Sequence, residues 1–259
     1  MDKRGIHGPK ARRNSILSYL LSHGNSTVEQ LAELLSVSQM TVYRDVAELE
    51  SLQLVQRRNG MISPAASSLS ESAAHLRQQS NRTQKKRLAT AVLKHMTRGM
   101  SLLVDDSTSN ISLVEDLSEV TPVTVVTNAE FIAKIVRTQE DAKLILVGGE
   151  YEPWADSYFG DITVKSLDQL RVDLCVMSAT ALTTTHAFHP DQRVADVKRQ
   201  MLASANKKIL VADSSKFAKN ALYKVGPLTD FDLVITDSET PKTVLDQLAD
   251  QDILVEVVR

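Results

Sequence analysis

Along the first sixty residues, apolar positions recur at helical spacing; beyond residue 99 they contract into short runs set between polar helical patterns. Lys10 to His23 carries Ile16, Leu17, Leu20 and Leu21 in one stripe, and Gly24 stops it. Ser26 followed by Glu29 predicts a capping box, with Leu31, Leu34 and Leu35 on the inner face of the helix that it opens. Val37 sits in a short turn. Ser38 caps a further helix, Gln39 to about Leu52, with Val42, Val46, Leu49 and Leu52 facing inward. From Leu54 to Ile62 the chain reads as a small basic hairpin, because Asn59-Gly60 between apolar residues is a strong turn signal.

Ser63 to Arg82 is rich in Ser, Ala and Gln and has no sustained apolar stripe, which predicts a linker, with helical character around Ser72–Gln79. A helix follows from Gln84 to about Met96. Strands are then expected at Ser101–Asp105, Val123–Thr127, Lys143–Val147, Leu174–Ser178, Ile209–Asp213, Leu233–Thr236 and Ile253–Val258. Helical patterns lie around Ile111–Leu117, Glu130–Val136, Val194–Ala205 and Pro241–Ala249. Such alternation predicts an α/β domain with a doubly wound, largely parallel sheet covered on both faces. The expected division is a winged helix-turn-helix at 1–62, a linker at 63–82 and an α/β domain at 83–259. No internal repeat is visible.

The net charge of −2 hides an asymmetry. Residues 1–98 hold 15 Lys and Arg against 7 Asp and Glu, a net of +8; residues 99–259 hold 15 against 25, a net of −10. A basic head on an acidic body points to a polyanion that meets only the head. The single cysteine, Cys175, lies in an apolar run, so a buried structural thiol is expected and no disulfide framework is possible, which fits a reducing cytoplasm. No apolar run approaches a membrane span, and the basic N-terminus lacks the apolar stretch of a secretory signal.

The third helix of the head carries Ser38, Gln39, Met40, Thr41, Tyr43 and Arg44 at and near its start, where a recognition helix keeps its base-contacting side chains. Gln and Arg read base edges bidentately; Thr41 and Tyr43 suit phosphates; Arg57 and Arg58 on the hairpin suit the backbone of double-stranded DNA. The bland alternative is a helical pair beside a solvated hairpin.

The run Val37-Ser38-x-x-Thr41-Val42-Tyr43-Arg44-Asp45-Val46-x-x-Leu49-Glu50 resembles the helix-turn-helix signature of the DeoR family of bacterial transcription regulators, which usually shows Val-Ser-x-x-Thr-Ile-Arg-Arg-Asp-Leu. Tyr43 stands where the family usually has arginine, and Arg58-Asn59-Gly60-Met61 where it usually has His-Gly-Gly. Lys85-x-x-Leu88-Ala89 is similar to the element that opens the family's effector domain.

In open α/β sheets, ligands bind outside the carboxyl ends of the strands. Those ends offer Asp105, Asp106, Ser107, Thr108, Ser109 and Asn110; Thr127 and Asn128; Gly148 and Gly149; and Asp213, Ser214, Ser215 and Lys216. Each alone is what a capped turn looks like. Four together on one rim suit a phosphorylated polyol. Asp105-x-Ser107-Thr108-Ser109, Thr127-Asn128, Gly148-Gly149, Val197-Lys198 and Asp213-x-Ser215-Lys216-Phe217 resemble the sugar-phosphate-sensing domain of the same family, whose fold is shared with ribose-5-phosphate isomerase and glucosamine-6-phosphate deaminase. Ser107 replaces the family's usual glycine. The resemblance implies effector contacts from Asp105, Ser107, Thr108, Ser109, Thr127, Asn128, Gly148, Gly149, Lys198, Asp213 and Lys216.

His186, His189 and Asp191 share one loop expected to cover the site; zinc needs three or four convergent ligands, so no metal and no cofactor is expected. Trp154, with Tyr151, Tyr158 and Phe159 nearby, reads as packing or interface surface. Three functions compete: a regulator, expected to repress carbohydrate-metabolism genes from a DNA operator under a phosphorylated effector and to act as a homo-oligomer (dimer or tetramer); a sugar-phosphate isomerase or deaminase with an added DNA-binding head; and a DNA-binding protein whose second domain only oligomerises. No acid/base pair of the kind enolisation needs stands out, so catalytic residues are not expected.

Overall fold

The structure, a computed structural model, describes residues 8–23, 25–51, 54–64 and 82–259. The chain divides into two units, Met1–Ser80 and Asn81–Arg259.

In the first unit, α1 (Pro9–His23), β1 (Ser26–Thr27), α2 (Val28–Leu35), α3 (Gln39–Ser51), β2 (Val55–Arg58) and β3 (Met61–Pro64) follow in order. Proline opens α1, where its missing N–H costs nothing. The three strands form an antiparallel sheet in the order β1-β3-β2. Ile16, Leu20, Leu31, Val42, Val46 and Ile62 are fully buried and make the core. Each such side chain contributes about 1.5–3 kcal/mol relative to exposure. Beside that core Asp45, 5 % exposed, takes Arg12 as a fork, at 2.7 and 3.2 Å, and so ties α3 to α1.

Three local expectations shift. The capping box is formed by Thr27 and Gln30, not Ser26 and Glu29: Gln30 N–H donates to Thr27 Oγ1 at 3.3 Å, and Thr27 N–H donates to Gln30 Oε1 at 3.0 Å. Ser26 is instead drawn into the strand that pairs with Ile62. Leu34 is 51 % exposed, because the buried stripe of α2 is Val28, Leu31, Ala32 and Leu35. The hairpin runs two residues further than expected, to Pro64, so the wing overlaps the start of the expected linker. Its turn is as expected: Asn59 and Gly60 have φ of 51° and 77°, the doubly left-handed geometry of a two-residue hairpin turn. Leu52, Gly24, residues 1–7 and the linker residues 65–81 lie outside the described residues.

The second unit runs α4 (Arg82–Leu93), β4 (Ser101–Val104), α5 (Ile111–Glu115), β5 (Val123–Thr127), α6 (Glu130–Val136), β6 (Ala142–Leu146), β7 (Glu150–Glu152), β8 (Ser157–Phe159), α7 (Asp161–Asp168), β9 (Val172–Met177), β10 (Ala181–Leu182), β11 (His186–His189), α8 (Gln192–Ala203), β12 (Ala205–Val211), β13 (Tyr223–Pro227), β14 (Leu233–Asp237), α9 (Lys242–Ala249) and β15 (Val255–Val258). Seven strands form one sheet in the order β15-β14-β12-β9-β4-β5-β6, every neighbouring pair parallel. Alternate side chains feed two cores. Leu102 and Val104 pack with Leu88, Val92 and Ile132 on one face; Leu103, Cys175 and Leu210 pack with Val194, Val197 and Leu167 on the other. The sheet is thus wound on both sides.

The pattern did not predict the hairpin β7–β8, the helix α7, or the small antiparallel sheet β10-β11-β13. The expected loop Ala181–Arg193 is mostly two strands of that sheet and the start of α8. Trp154 stacks on buried Phe159, with centroids 6.1 Å apart, so these two pack, whereas Tyr151 is 48 % exposed.

Candidate DNA-reading face and effector site

Ser38 begins α3: Thr41 N–H donates to its hydroxyl at 3.2 Å, and the two hydroxyls lie 2.9 Å apart. Both hydroxyls are therefore engaged in the cap. Gln39, Met40, Tyr43 and Arg44 project from the same end of the helix, and all are exposed. Met40 is 62 % exposed on a helix whose other face is core. On the hairpin, Arg57 and Arg58 are both exposed, and Arg57 is tied to Glu50 of α3 at 2.6 Å and lies 6.0 Å from the Tyr43 ring centroid. The Glu50 hydrogen bond holds the Arg57 guanidinium above its usual pKa.

In the second unit the strand order reverses between β4 and β9, the point where open parallel sheets leave a crevice. Asp105 leaves β4 there, fully buried. Its carboxylate accepts from Ser107 N–H (3.1 Å) and Oγ (2.9 Å), Asn110 Nδ2 (2.7 Å), Ser178 N–H (3.0 Å) and Lys198 Nζ. Lys198 comes from the middle of α8 and is 2 % exposed. It also faces Asp106 at 3.1 Å and donates to the Ser178 carbonyl at 3.2 Å and Ser107 Oγ at 3.3 Å. Burial works against the Lys198 ammonium, but Asp105 and Asp106 more than offset it and raise its pKa. Burial pushes the Asp105 carboxyl up, and Lys198 pulls against that push. Lys85 of α4, also buried, donates to Thr108 Oγ1 at 3.1 Å, so the first turn of α4 reaches into the same loop.

The remaining expected residues lie at the same carboxyl edge. Ser109 is buried in the single 3-10 turn Thr108–Asn110. Thr127 Oγ1 accepts from Ala129 N–H at 3.1 Å, and Asn128 Nδ2 donates to the Tyr158 carbonyl at 2.8 Å. Asn128 Oδ1 and Ser178 Oγ are buried without a hydrogen-bond partner in the structure. Gly149 is where chain meets chain: a Cβ there would sit 2.0 Å from Thr163 Oγ1 and 2.6 Å from the Phe159 carbonyl. Gly148 accepts from Thr163 Oγ1 at 2.9 Å. The pair thus packs β6 onto α7, where the sequence suggested room for a ligand. Asp213 caps a 3-10 turn that holds Ser215 and half-buried Lys216; Asp237, at the end of β14, accepts from Ser214 N–H at 3.0 Å.

Asp105, Ser107 and Lys198 therefore form one network, and Thr108 of the same loop is held separately by Lys85. Thr127, Asn128, Gly148 and Gly149 instead pin the neighbouring hairpin and helix. Asn110 stood among the expected strand-end residues without being an expected effector contact, whereas Ser178 and Asp237 were left out of the site. His189 is buried and accepts from Asp191 N–H at 3.1 Å, while Asp191 caps α8. Burial pushes the Cys175 thiol up, which keeps it inert.

A family model described as "DeoR-like helix-turn-helix domain" matches residues 12–65, and one described as "DeoR C terminal sensor domain" matches residues 80–238. The glycerol-3-phosphate regulon repressor of Escherichia coli (strain K12) is 28% identical over 247 residues, which is 95% of this chain and 98% of that one. The L-fucose operon activator of the same organism is 28% identical over 238 residues, 91% of this chain and 98% of its own. Among solved structures, ribose 5-phosphate isomerase A from Methanocaldococcus jannaschii is similar with a TM-score of 0.39 and 17% identity, covering 53% of this chain and 55% of that chain. With a DeoR helix-turn-helix at its head and a DeoR sensor domain over more than half its length, the chain belongs to the DeoR family and is a DNA-binding transcription regulator, not an enzyme.

Proposed function

We propose that the protein represses genes of carbohydrate metabolism, and that a phosphorylated sugar or polyol bound at the β4/β9 crevice sets its affinity for a double-stranded operator. Residues 1–62 grip DNA through Ser38, Gln39, Met40, Thr41, Tyr43, Arg44 and Arg58. Residues 83–259 sense the effector and hold a cytoplasmic homo-oligomer. The observation that carries the reading is the buried Asp105–Lys198–Asp106 network at the reversal of strand order. Lys198 is neutralised there, so its part is to hold the Asp105–Ser109 loop in shape. Carboxylates and amides on such a rim suit sugar hydroxyls; Thr108, Lys85 and Lys216 suit a phosphate. One relative is named for the regulon of glycerol 3-phosphate, a phosphorylated polyol, and acts as its repressor; another is named as the activator of an operon for the sugar L-fucose. Lys85 lies in the first turn of α4, the helix that follows the linker, which gives occupancy of the site a covalent route toward the head. An effector acts only through its different affinity for the two states of the regulator.

The test is a thermal-shift screen against glycerol 3-phosphate and a panel of pentose and hexose phosphates, followed by calorimetry and operator titration. Thr108→Ala and Lys216→Ala should each weaken the best effector about tenfold or more, since a charge-assisted contact is worth about 1.5–3 kcal/mol, while leaving effector-free operator binding unchanged. Normal affinity in both variants sinks the site. In transcription from an operator-bearing template, added protein should lower output and effector should restore it; a rise on adding protein reverses the sign.

A further inference from the structure

Tyr43 and Glu50 are two helical turns apart on α3, so they share a face, and Arg57 of β2 stands across from both. Glu50 takes Arg57 three times over. Arg57 Nε donates to Glu50 Oε2 at 2.7 Å, the second guanidinium nitrogen lies 2.6 Å from the same oxygen, and Arg57 N–H donates to Glu50 Oε1 at 3.1 Å. The guanidinium carbon then lies 6.0 Å from the centre of the Tyr43 ring, a cation–π distance. A guanidinium committed in this way has its charge neutralised and its direction fixed. Arg58, next on the same strand, points the other way and makes no ion pair among the described residues. Tyr43 remains 43 % exposed at the end of α3 that also carries exposed Gln39, Met40 and Arg44.

We propose that Tyr43 is a specificity-determining residue of the DNA-reading helix, and that Arg57 is a positioning residue which, fixed by Glu50, sets the Tyr43 ring and leaves the phosphate grip of the hairpin to Arg58. A tyrosine held by a neutral ion pair reads DNA through its ring face and hydroxyl, against a base edge or thymine methyl, and releases no counterions. A free arginine on the same strand does release them. The two roles therefore separate in salt dependence as well as in affinity. The inference rests on DNA binding by this head.

The experiment uses the full chain, a duplex enriched by the wild-type protein from random-sequence DNA, and a scrambled duplex, titrated between about 50 and 200 mM salt. Arg57→Met should lower the ratio of enriched to scrambled affinity about fivefold and leave the salt slope unchanged. Tyr43→Ala should lower the ratio by a similar factor, and Arg57→Met added to it should lower it no further, the signature of residues acting as one unit. Glu50→Gln should lower the ratio too and steepen the slope by about one, as Arg57 swings free to a phosphate. Arg58→Ala should weaken both duplexes alike and flatten the slope by about one. The proposal is overturned if Arg57→Met weakens both duplexes equally with a flatter slope, or if it still lowers the ratio in the Tyr43→Ala background. Should Arg57→Met fail to fold by circular dichroism, Tyr43→Ala and Glu50→Gln decide the matter: an unchanged ratio in both overturns it. A wild-type protein that enriches no sequence would defeat the DNA-binding reading itself, a different outcome.

Discussion

Replacing Lys198 with methionine should be among the most damaging single changes in the second unit. Methionine nearly matches the lysine stem in volume, so little cavity is created, and what is lost is the charge. Lys198 is 2 % exposed, and its ammonium faces two buried carboxylates, Asp105 and Asp106, together with the Ser178 carbonyl and the Ser107 hydroxyl. Without it, two acids confront one another out of water with their shared cation gone. Breaking a buried pair by removing one partner costs about 3–5 kcal/mol, against a total stability of about 5–15 kcal/mol for a domain. Urea unfolding followed by the fluorescence of Trp154, the one tryptophan and a residue of this unit, should show the loss as a lower midpoint. The double variant Lys198→Met with Asp105→Asn should recover part of it. The pH dependence has a defined sign. The folded pKa of Lys198 is raised above its ordinary 10.5, so its contribution is fully present below that value and is lost as pH rises through the folded value. The gap between wild type and variant should therefore close in strong alkali. It should also narrow toward acid: burial pushes Asp105 up and the variant has no cation to oppose it, so the carboxyl takes a proton and repulsion falls. A loss below about 1 kcal/mol at neutral pH would refute the assignment of Lys198 as the ion that holds this loop together.

Gly149→Ala should destabilise the second unit by about 1–3 kcal/mol, because the added methyl collides with Thr163 Oγ1 and the Phe159 carbonyl; pairing it with Thr163→Ala or Thr163→Ser should not cure the backbone clash, and an unchanged thermal midpoint would contradict it. Arg44→Ala should cost about 1–3 kcal/mol of operator affinity and do so selectively by sequence if the guanidinium reads a base. An even loss on all duplexes with a shallower salt slope would make it a phosphate contact, and unchanged gel-shift titrations would remove Arg44 from the DNA contacts altogether.

Much of this protein is written locally. The Asn59-Gly60 turn, the apolar runs that became seven parallel strands, and α6, at the expected bounds Glu130–Val136, follow from backbone preference and side-chain period over a few residues, which any window of the chain contains. The exposed face of α3 and the crowding of Asp, Ser and Thr at strand ends follow from the same arithmetic, since parallel strands put all their carboxyl ends on one side. Boundaries moved where a partner far along the chain competed: Ser26 left the expected cap because Ile62 pairs with it, and Leu34 turned outward because the core had room for only one stripe of α2. The short strands β10, β11 and β13 have two to five residues each, too few for a period to show. The roles inside the site belonged wholly to the tertiary structure. Nothing near Lys198 in the chain foretells a partner 93 residues away, nor does Gly149 announce Thr163, nor Arg57 its tie to Glu50 beneath Tyr43. A charge or a glycine looks the same in sequence whether it meets a ligand or another part of the chain; which it meets depends on what the fold brings within about 3 Å, where hydrogen bonds and ion pairs act.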